Sequence, residues 1–155
     1  MEPYIEVTCN MKVDRCALVY PQFRSPCPVA SALDLVGDKW SLVVLRTIFA
    51  GRHRYNELAD STEKISTNIL ADRLARLEEY GLITKRAYQH NPERFEYHLT
   101  ERGADFLPVL QQLAIWAREH IPDRWSLPGW FAEGTARQFY PEPSPKGAAL
   151  NPRAG

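Results

Sequence analysis

Two sets of side chains in this chain have types and spacing that could do chemistry. Ser66, Thr67 and Asn68, followed by Asp72, Arg73 and Arg76, are polar residues at helical spacing. Asn can pair bidentately with adenine and Arg with guanine or phosphate, while a helix N-terminus attracts a phosphate. Taken alone, such a row is also what an ordinary solvated helix face looks like. The second set is Cys27, held between Pro26 and Pro28 where a helix is predicted to start. There the dipole favours a thiolate, which oxidants or electrophiles could modify. A small buried hydrophobe holding the helix to the core is the equal alternative from position alone.

Other chemistries lack their residues. The chain has no Gly-rich phosphate loop, no nucleophile elbow and no histidine pair at zinc-helix spacing. His53, His90, His98 and His120 are scattered, and Cys9, Cys16 and Cys27 lack the two-residue spacing of structural zinc sites. No metal or cofactor is therefore expected, and a thiol enzyme is a distant reading.

The elements that must position the polar row follow from periodicity. Pro28 opens a short helix to Leu35, Asp38 can cap a second from Lys39 to Ala50, and Gly51 stops it. A third short helix covers Tyr55 to Asp60, with a polar turn from Ser61 to Ile65. Ser66 has an N-cap side chain, and Ile69, Leu70, Leu74 and Leu77 recur at helical spacing up to Tyr80, with Gly81 as the left-handed stop. That pair is a helix-turn-helix candidate, whose second helix could enter a major groove about 12 Å wide. Leu82 to Gln89 and Phe95 to Leu99 predict a hairpin through His90, Asn91, Pro92 and Glu93. Thr100 then caps a long helix from Glu101 to about His120, bent by Pro108. The fold class is α+β, mostly α: a winged helix-turn-helix with additional terminal helices forming a dimer interface.

The apolar stripe of that last helix, with Leu110, Leu113 and Trp116, has little of its own core to cover, so a homodimer is expected. The alternative is that Trp125, Trp130 and Phe131 fold back over it. Composition divides the 155 residues into an arm (1–26), the domain (27–121) and an aromatic, Pro-rich tail (122–155) whose final dozen residues are expected to be disordered. Trp125, Trp130, Phe131, Phe139 and Tyr140 are too apolar for a free linker and should pack against something.

Charge excludes a globally basic protein, since 19 Lys and Arg balance 19 Asp and Glu. Any anion-binding surface must be local. Lys39, Arg46, Arg52 and Arg54 form one basic stretch, and Lys85, Arg86 and Arg94 outnumber Glu93 around the hairpin. No apolar run approaches the length of a membrane span, and no basic leader precedes an apolar run, so no membrane association and a cytoplasmic location are expected.

The residues that carry a resemblance run from Cys-Pro-Val at Cys27 through Val-Gly-Asp-Lys-Trp-Ser-Leu at Val36 to Leu42. They continue with Gly51, Arg54, Tyr55 to Leu58, Ile65, Ser66, Leu74, Leu77, Glu78 and Gly81 to Ile83. Pro92, Tyr97, Leu99, Thr100, Gly103, Pro108 to Leu110 and Trp116 complete them. On these, Cys27 to Ile121 resembles the HxlR-type winged helix-turn-helix transcriptional regulators of bacteria, which are MarR-like. The resemblance implies a homodimeric, DNA-binding regulator with terminal helices at the interface and a sensing cysteine at the Cys27 position. The wing tip, Asn91-Pro92-Glu93-Arg94, departs from the commoner pattern. The expected contacts to a double-stranded operator are Arg54, Ser66, Thr67, Asn68, Arg73, Arg76, Arg86 and Arg94, under control by a small-molecule or electrophile effector. A winged-helix module that binds protein rather than DNA is the competing class, mildly supported by the zero net charge.

Overall fold

Leu45, Leu70 and Leu107, from three different helices, have no exposed surface and share one apolar cluster. The computed structural model describes residues 20–139. Their elements run α1 (Pro28–Val36), α2 (Ser41–Phe49), α3 (Tyr55–Ala59), α4 (Thr67–Glu79), β1 (Ile83–His90), β2 (Glu93–Leu99), α5 (Glu101–Ala104), α6 (Leu107–His120) and α7 (Gly129–Ala132), with a 3-10 turn at Ala136–Phe139. The two strands form one antiparallel sheet. Everything else that is regular is helical, which is the α+β, mostly α class that the periodicity predicts.

Local chemistry sets the helix ends. Asp38 Oδ1 accepts from the N–H groups of Trp40 (2.8 Å) and Ser41 (3.1 Å), satisfying donors that the first turn of α2 leaves without partners. Gly51 and Gly81 have φ values of +84° and +69°, the left-handed conformation that closes a helix. Leu82 N–H accordingly reaches back to the Leu77 carbonyl at 2.8 Å. On α4, Leu70, Leu74 and Leu77 are at most 2% exposed, and each fully buried leucine contributes about 1.5 to 3 kcal/mol. Ser66 stands at the N-cap of α4, though its side chain makes no capping bond.

The hairpin is longer than periodicity suggests. His90 pairs with Glu93, so the turn is Asn91-Pro92 alone, joined by a cis peptide bond. Tyr88 is an extra residue between Ala87 and Gln89, a bulge that bends the strand. Residues before α3 add a minimal third strand: Tyr97 N–H donates to the His53 carbonyl at 2.8 Å, and Arg54 bridges to Glu96.

The predicted single helix from Glu101 to His120 is two helices. Thr100 caps the first, its Oγ1 accepting from Gly103 N–H at 3.0 Å. Pro108 has no N–H to return to the Ala104 carbonyl, so it is excluded from a helix interior and accepted in a first turn. The chain therefore restarts at Leu107, with Pro108 in the first turn of α6.

Helix α6 carries two apolar faces, which corrects the expectation for Leu110. Leu107 and Leu110 are buried in the subunit's own core, Leu110 at 7% exposure, whereas Leu113 and Trp116 are 49% and 58% exposed. Leu110 is thus not part of the outward stripe. The tail aromatics do fold back in part. Phe131 joins the core, Phe139 sets its ring edge-on to Phe49 at 5.0 Å, and Gln111 Nε2 donates to the carbonyls of Phe131 (2.7 Å) and Gly134 (2.9 Å). Trp125 stays 73% exposed. Tyr140, Cys9, Cys16 and the expected disorder of the last dozen residues lie outside the described residues. Among the described residues no helix is long and apolar enough to cross a membrane.

The base of the hairpin is clamped. Thr100 N–H donates to the Leu82 carbonyl (3.1 Å), Thr100 Oγ1 donates to the Gly81 carbonyl (2.6 Å), and a Cβ at Gly103 would lie 1.8 Å from the Leu82 oxygen. Backbone on both sides leaves no flexible atom to yield. Gly103→Ala should therefore lose about 3 kcal/mol or more of stability. Urea denaturation checks this, with Gly129→Ala, where a Cβ meets nothing within 4 Å, as the tolerated control.

Candidate nucleic-acid interface

The polar row stands on α4 as its burial dictates. With Leu70, Leu74 and Leu77 turned into the core, Thr67, Asn68, Ala71, Asp72 and Ala75 are exposed on the other side. Ser66 is exposed just before them. Tyr55 of α3 fixes the start of this surface, its hydroxyl donating to the Thr67 carbonyl at 2.8 Å. The turn between the two helices is anchored rather than merely polar: Ser61 and Ile65 are buried at 5% and 6% exposure. Arg46 of α2 holds both carboxylate oxygens of Glu63 at 2.9 Å, and Lys64 takes a left-handed φ of +49°.

Arg73 departs from its expected place. Its side chain is only 19% exposed, and its Nε donates to Asp38 Oδ1 at 2.8 Å while Nη1 pairs with Asp72. The guanidinium thus points along the flank of α4 toward the start of α2, not outward with Asn68. The reason is its position beside the leucine row, where an arginine can reach a carboxylate brought up by another helix. Arg76 likewise lies at the border, half-buried, its guanidinium 6.0 Å from the Tyr80 ring. A hydrogen bond with Tyr80 holds its pKa above the usual value.

Beside α4 stands the hairpin. Arg86 and Arg94 are exposed, and neither makes an ion pair among the described residues. Lys85 sits over the Phe95 ring at 3.9 Å. Arg54 occupies the corner between hairpin and α3, with Nε on Glu96 Oε1 at 3.1 Å and its guanidinium 4.6 Å from the Tyr88 ring. A groove lined by Arg54, Asn56, Glu57, Tyr88, Arg94 and Tyr97 runs between them. Glu57 Oε2 accepts from the N–H groups of Arg54 and His53 at 3.0 Å, and these bonds hold its carboxyl below the usual range. Under the strands, His53 and His98 stack at 4.5 Å. Burial of His98 and the neighbouring His53 lower its pKa despite Glu96 at 3.3 Å.

Tyr88 and Glu96 are site residues that periodicity does not mark, and Asp38, expected only as a helix cap, also holds Arg73. Glu96 has one local signal, since hairpin pairing places it across from Arg86. Cys27 is exposed at the N-cap of α1 and carries no side-chain cap. Among the described residues no group of three or more His, Cys, Asp or Glu could hold a metal ion.

Two helices joined by an anchored turn, followed directly by a basic hairpin, define a winged helix-turn-helix. The HxlR-like helix-turn-helix family model matches residues 35–124, more than half of the chain, and the protein belongs to that family. It is similar to the uncharacterized HTH-type transcriptional regulator sll1512 of Synechocystis sp., 43% identical over 84 residues covering 54% of this chain and 62% of that one. The uncharacterized HTH-type transcriptional regulator Rv3095 of Mycobacterium tuberculosis is 40% identical over 94 residues, 61% of this chain and 59% of the relative. The chain thus spans about six tenths of the length of these curated relatives. Among solved structures it resembles the reduced form of the transcriptional regulator YodB from B. subtilis, at 27% identity and TM-score 0.54 over 65% of this chain and all of that one. The redox regulator HypR in its oxidized form aligns at 31% identity and TM-score 0.54, over 64% of this chain and 100% of that one.

The Asp38–Arg73 pair yields a pH prediction. Partial burial pushes the Asp38 carboxyl up, but hydrogen bonds from Ser41 Oγ and from the N–H groups of Trp40 and Ser41, with the charge of Arg73, outweigh burial and hold it below its usual value. A carboxyl lowered in the folded state contributes stability that is complete above its unfolded pKa of about 4 and fades as pH falls through the folded value. Asp38→Asn and Arg73→Ala should each lower stability by about 1 to 2 kcal/mol at neutral pH. Asp38→Asn should in addition flatten the loss of stability below pH 4, measured by urea denaturation across pH.

Proposed function

We propose that the protein is a sequence-specific transcriptional regulator that binds a pseudo-palindromic double-stranded operator as a homodimer. The observation that carries this is the exposed row from Ser66 to Asn68 at the start of α4, flanked by the exposed Arg86 and Arg94 on the hairpin. A helix N-terminus with Asn on its outer side suits base edges in a major groove. Cations on a hairpin suit phosphates or the adjacent minor groove. Arg54 and Arg76 are cations at the edge of this surface, and Arg73 supports it from the side through Asp38 instead of touching DNA.

The dimer rests on the outward face of α6. Leu113 and Trp116 are exposed together with Val109, and α1 exposes Val29 and Leu33. Large apolar side chains in such number on one small subunit are characteristic of an interface. Two-fold pairing through terminal helices would set two copies of α4 about one helical turn of DNA apart. Control through Cys27 is the third part of the proposal. Its exposure at the start of α1 beside Val29 gives a modifying reagent access, and the similarity to regulators described as reduced and oxidized forms supports the same chemistry here.

Binding to the promoter region of its own gene, titrated with salt, tests the reading. Asn68→Ala should weaken specific binding by about 1 to 3 kcal/mol, while Arg86→Ala and Arg94→Ala should each flatten the salt slope by about one unit at most. Binding with no salt dependence, or none at all, would favour a module that recognises protein. Repeating the titration after an oxidant should change affinity in the parent but not in Cys27→Ser.

Leu113→Glu and Trp116→Glu should produce folded monomers with weakened operator binding, because a single α4 makes about half of the contacts. Sedimentation velocity at micromolar concentration decides this, and a parent that is monomeric there removes the dimer.

A further inference from the structure

A cavity of 390 Å³ lies where the end of α2, the turn between α3 and α4, α6 and the segment after α6 meet. Trp125, Trp130 and Phe131 supply aromatic walls, and Ala50 and Ala114 leave room between them. Cavities of about 150 Å³ accept a benzene ring, so this one has space for two fused rings and a substituent. Flat aromatic guests suit such walls, because offset and edge-to-face ring contacts add to the area that is buried.

The polar lining selects the substituent. Two arginines and no acidic residue line the cavity. Arg46 is already held by Glu63 on two hydrogen bonds. Arg52 is exposed and donates one hydrogen bond, from Nη1 to the Asp60 carbonyl at 3.2 Å, which leaves most of its five donors for an anion. Ser61, also in the lining, is 5% exposed, and its Oγ is the buried side-chain polar atom without a hydrogen-bond partner among the described residues. A buried hydroxyl without a partner destabilises the fold, a deficit that an incoming acceptor removes.

We propose that this cavity binds a flat bicyclic aromatic carboxylate, its rings against Trp125, Trp130 and Phe131 and its carboxylate on Arg52 and Ser61. The site stands on cavity geometry and charge, independent of whether the protein binds DNA. Its use for control rests on the regulator reading: Ser61 and Thr62 belong to the turn that leads into α4, so an occupant ties that turn to the segment after α6. The part of that segment that lines the cavity starts at Trp125, just past the family match, which ends at residue 124.

The test uses the full chain without DNA, so that its failure leaves the operator reading untouched. 2-Naphthoate is titrated by calorimetry and by tryptophan fluorescence, with neutral 2-naphthamide as the comparison. The acid is expected to bind saturably and at least about tenfold more tightly than the amide. Arg52→Gln should abolish that preference, and Trp125→Ala, at an exposed position that folding does not need, should weaken both compounds. Absence of saturable binding up to about 1 mM, equal affinity for acid and amide, or variants that bind like the parent would each overturn the site. Shielding of Trp125 from iodide quenching in the ligand-free protein would do so as well, by showing that a second copy fills the space.

Discussion

One carboxylate joins the start of α2 to the flank of α4, the helix whose outer face carries the polar row. Asp38 accepts two backbone N–H groups and the Ser41 hydroxyl at the start of α2, and also the guanidinium of Arg73 on α4. Leucines buried along α4 hold the helix against the core and set its face, while apolar contacts by themselves carry little directional detail. A charge-assisted bond at 2.8 Å has both direction and length. The leucine row decides which side of α4 faces outward; this bond ties that side to the start of α2, and Tyr55 ties its beginning to α3 through the Thr67 carbonyl. The groups at the prospective contact surface are thereby oriented before any ligand arrives.

The rest of the molecule elaborates this arrangement. The bidentate Arg46–Glu63 pair holds the turn that precedes α4. Glu57 and Glu96 engage Arg54 on its backbone and side chain, so the corner where α3 meets the hairpin is held by a backbone hydrogen bond and an ion pair. On the hairpin, by contrast, Arg86 and Arg94 have no carboxylate partner among the described residues. The distinction between cations that build the fold and cations left over is what separates a positive surface from a zero net charge. Only the second kind attracts an anion, and Arg86 and Arg94 place two of them on the hairpin.

What the chain revealed in advance was whatever has a local cause. The glycine stops at Gly51 and Gly81, the leucine row of α4, the Thr100 cap and the hairpin each arise from residues a few positions apart. Arg73 was misplaced because its partner stands 35 residues away: the spacing that sends Leu74 inward leaves its neighbour at the border of the face, and only tertiary structure decides which way a border residue turns. Leu110 was misplaced for a related cause. An apolar stripe read as one surface is in fact two, and burial divides it between Leu107 and Leu110 on the inside and Leu113 and Trp116 on the outside. Pro108 marks the break before α6 in the sequence, where periodicity alone gives only a bend. The cavity against Trp125 and Trp130 had no local signal, since its walls come from four separate parts of the chain.

The clamp at the base of the hairpin separates its length from its attachment. Entry and exit of the hairpin are joined at Leu82, Thr100 and Gly103 by backbone contacts that do not involve the tip. Lengthening a loop whose ends are already pinned costs little, about 0.6 kcal/mol for each doubling. Residue pairs at the tip, beyond the contacts of Glu96 and Tyr97 with Arg54 and His53, can therefore be added or removed without moving α4 or α6. The reach of the hairpin is in this architecture a quantity that insertion and deletion can adjust, while the junction that carries it admits no side chain at Gly103.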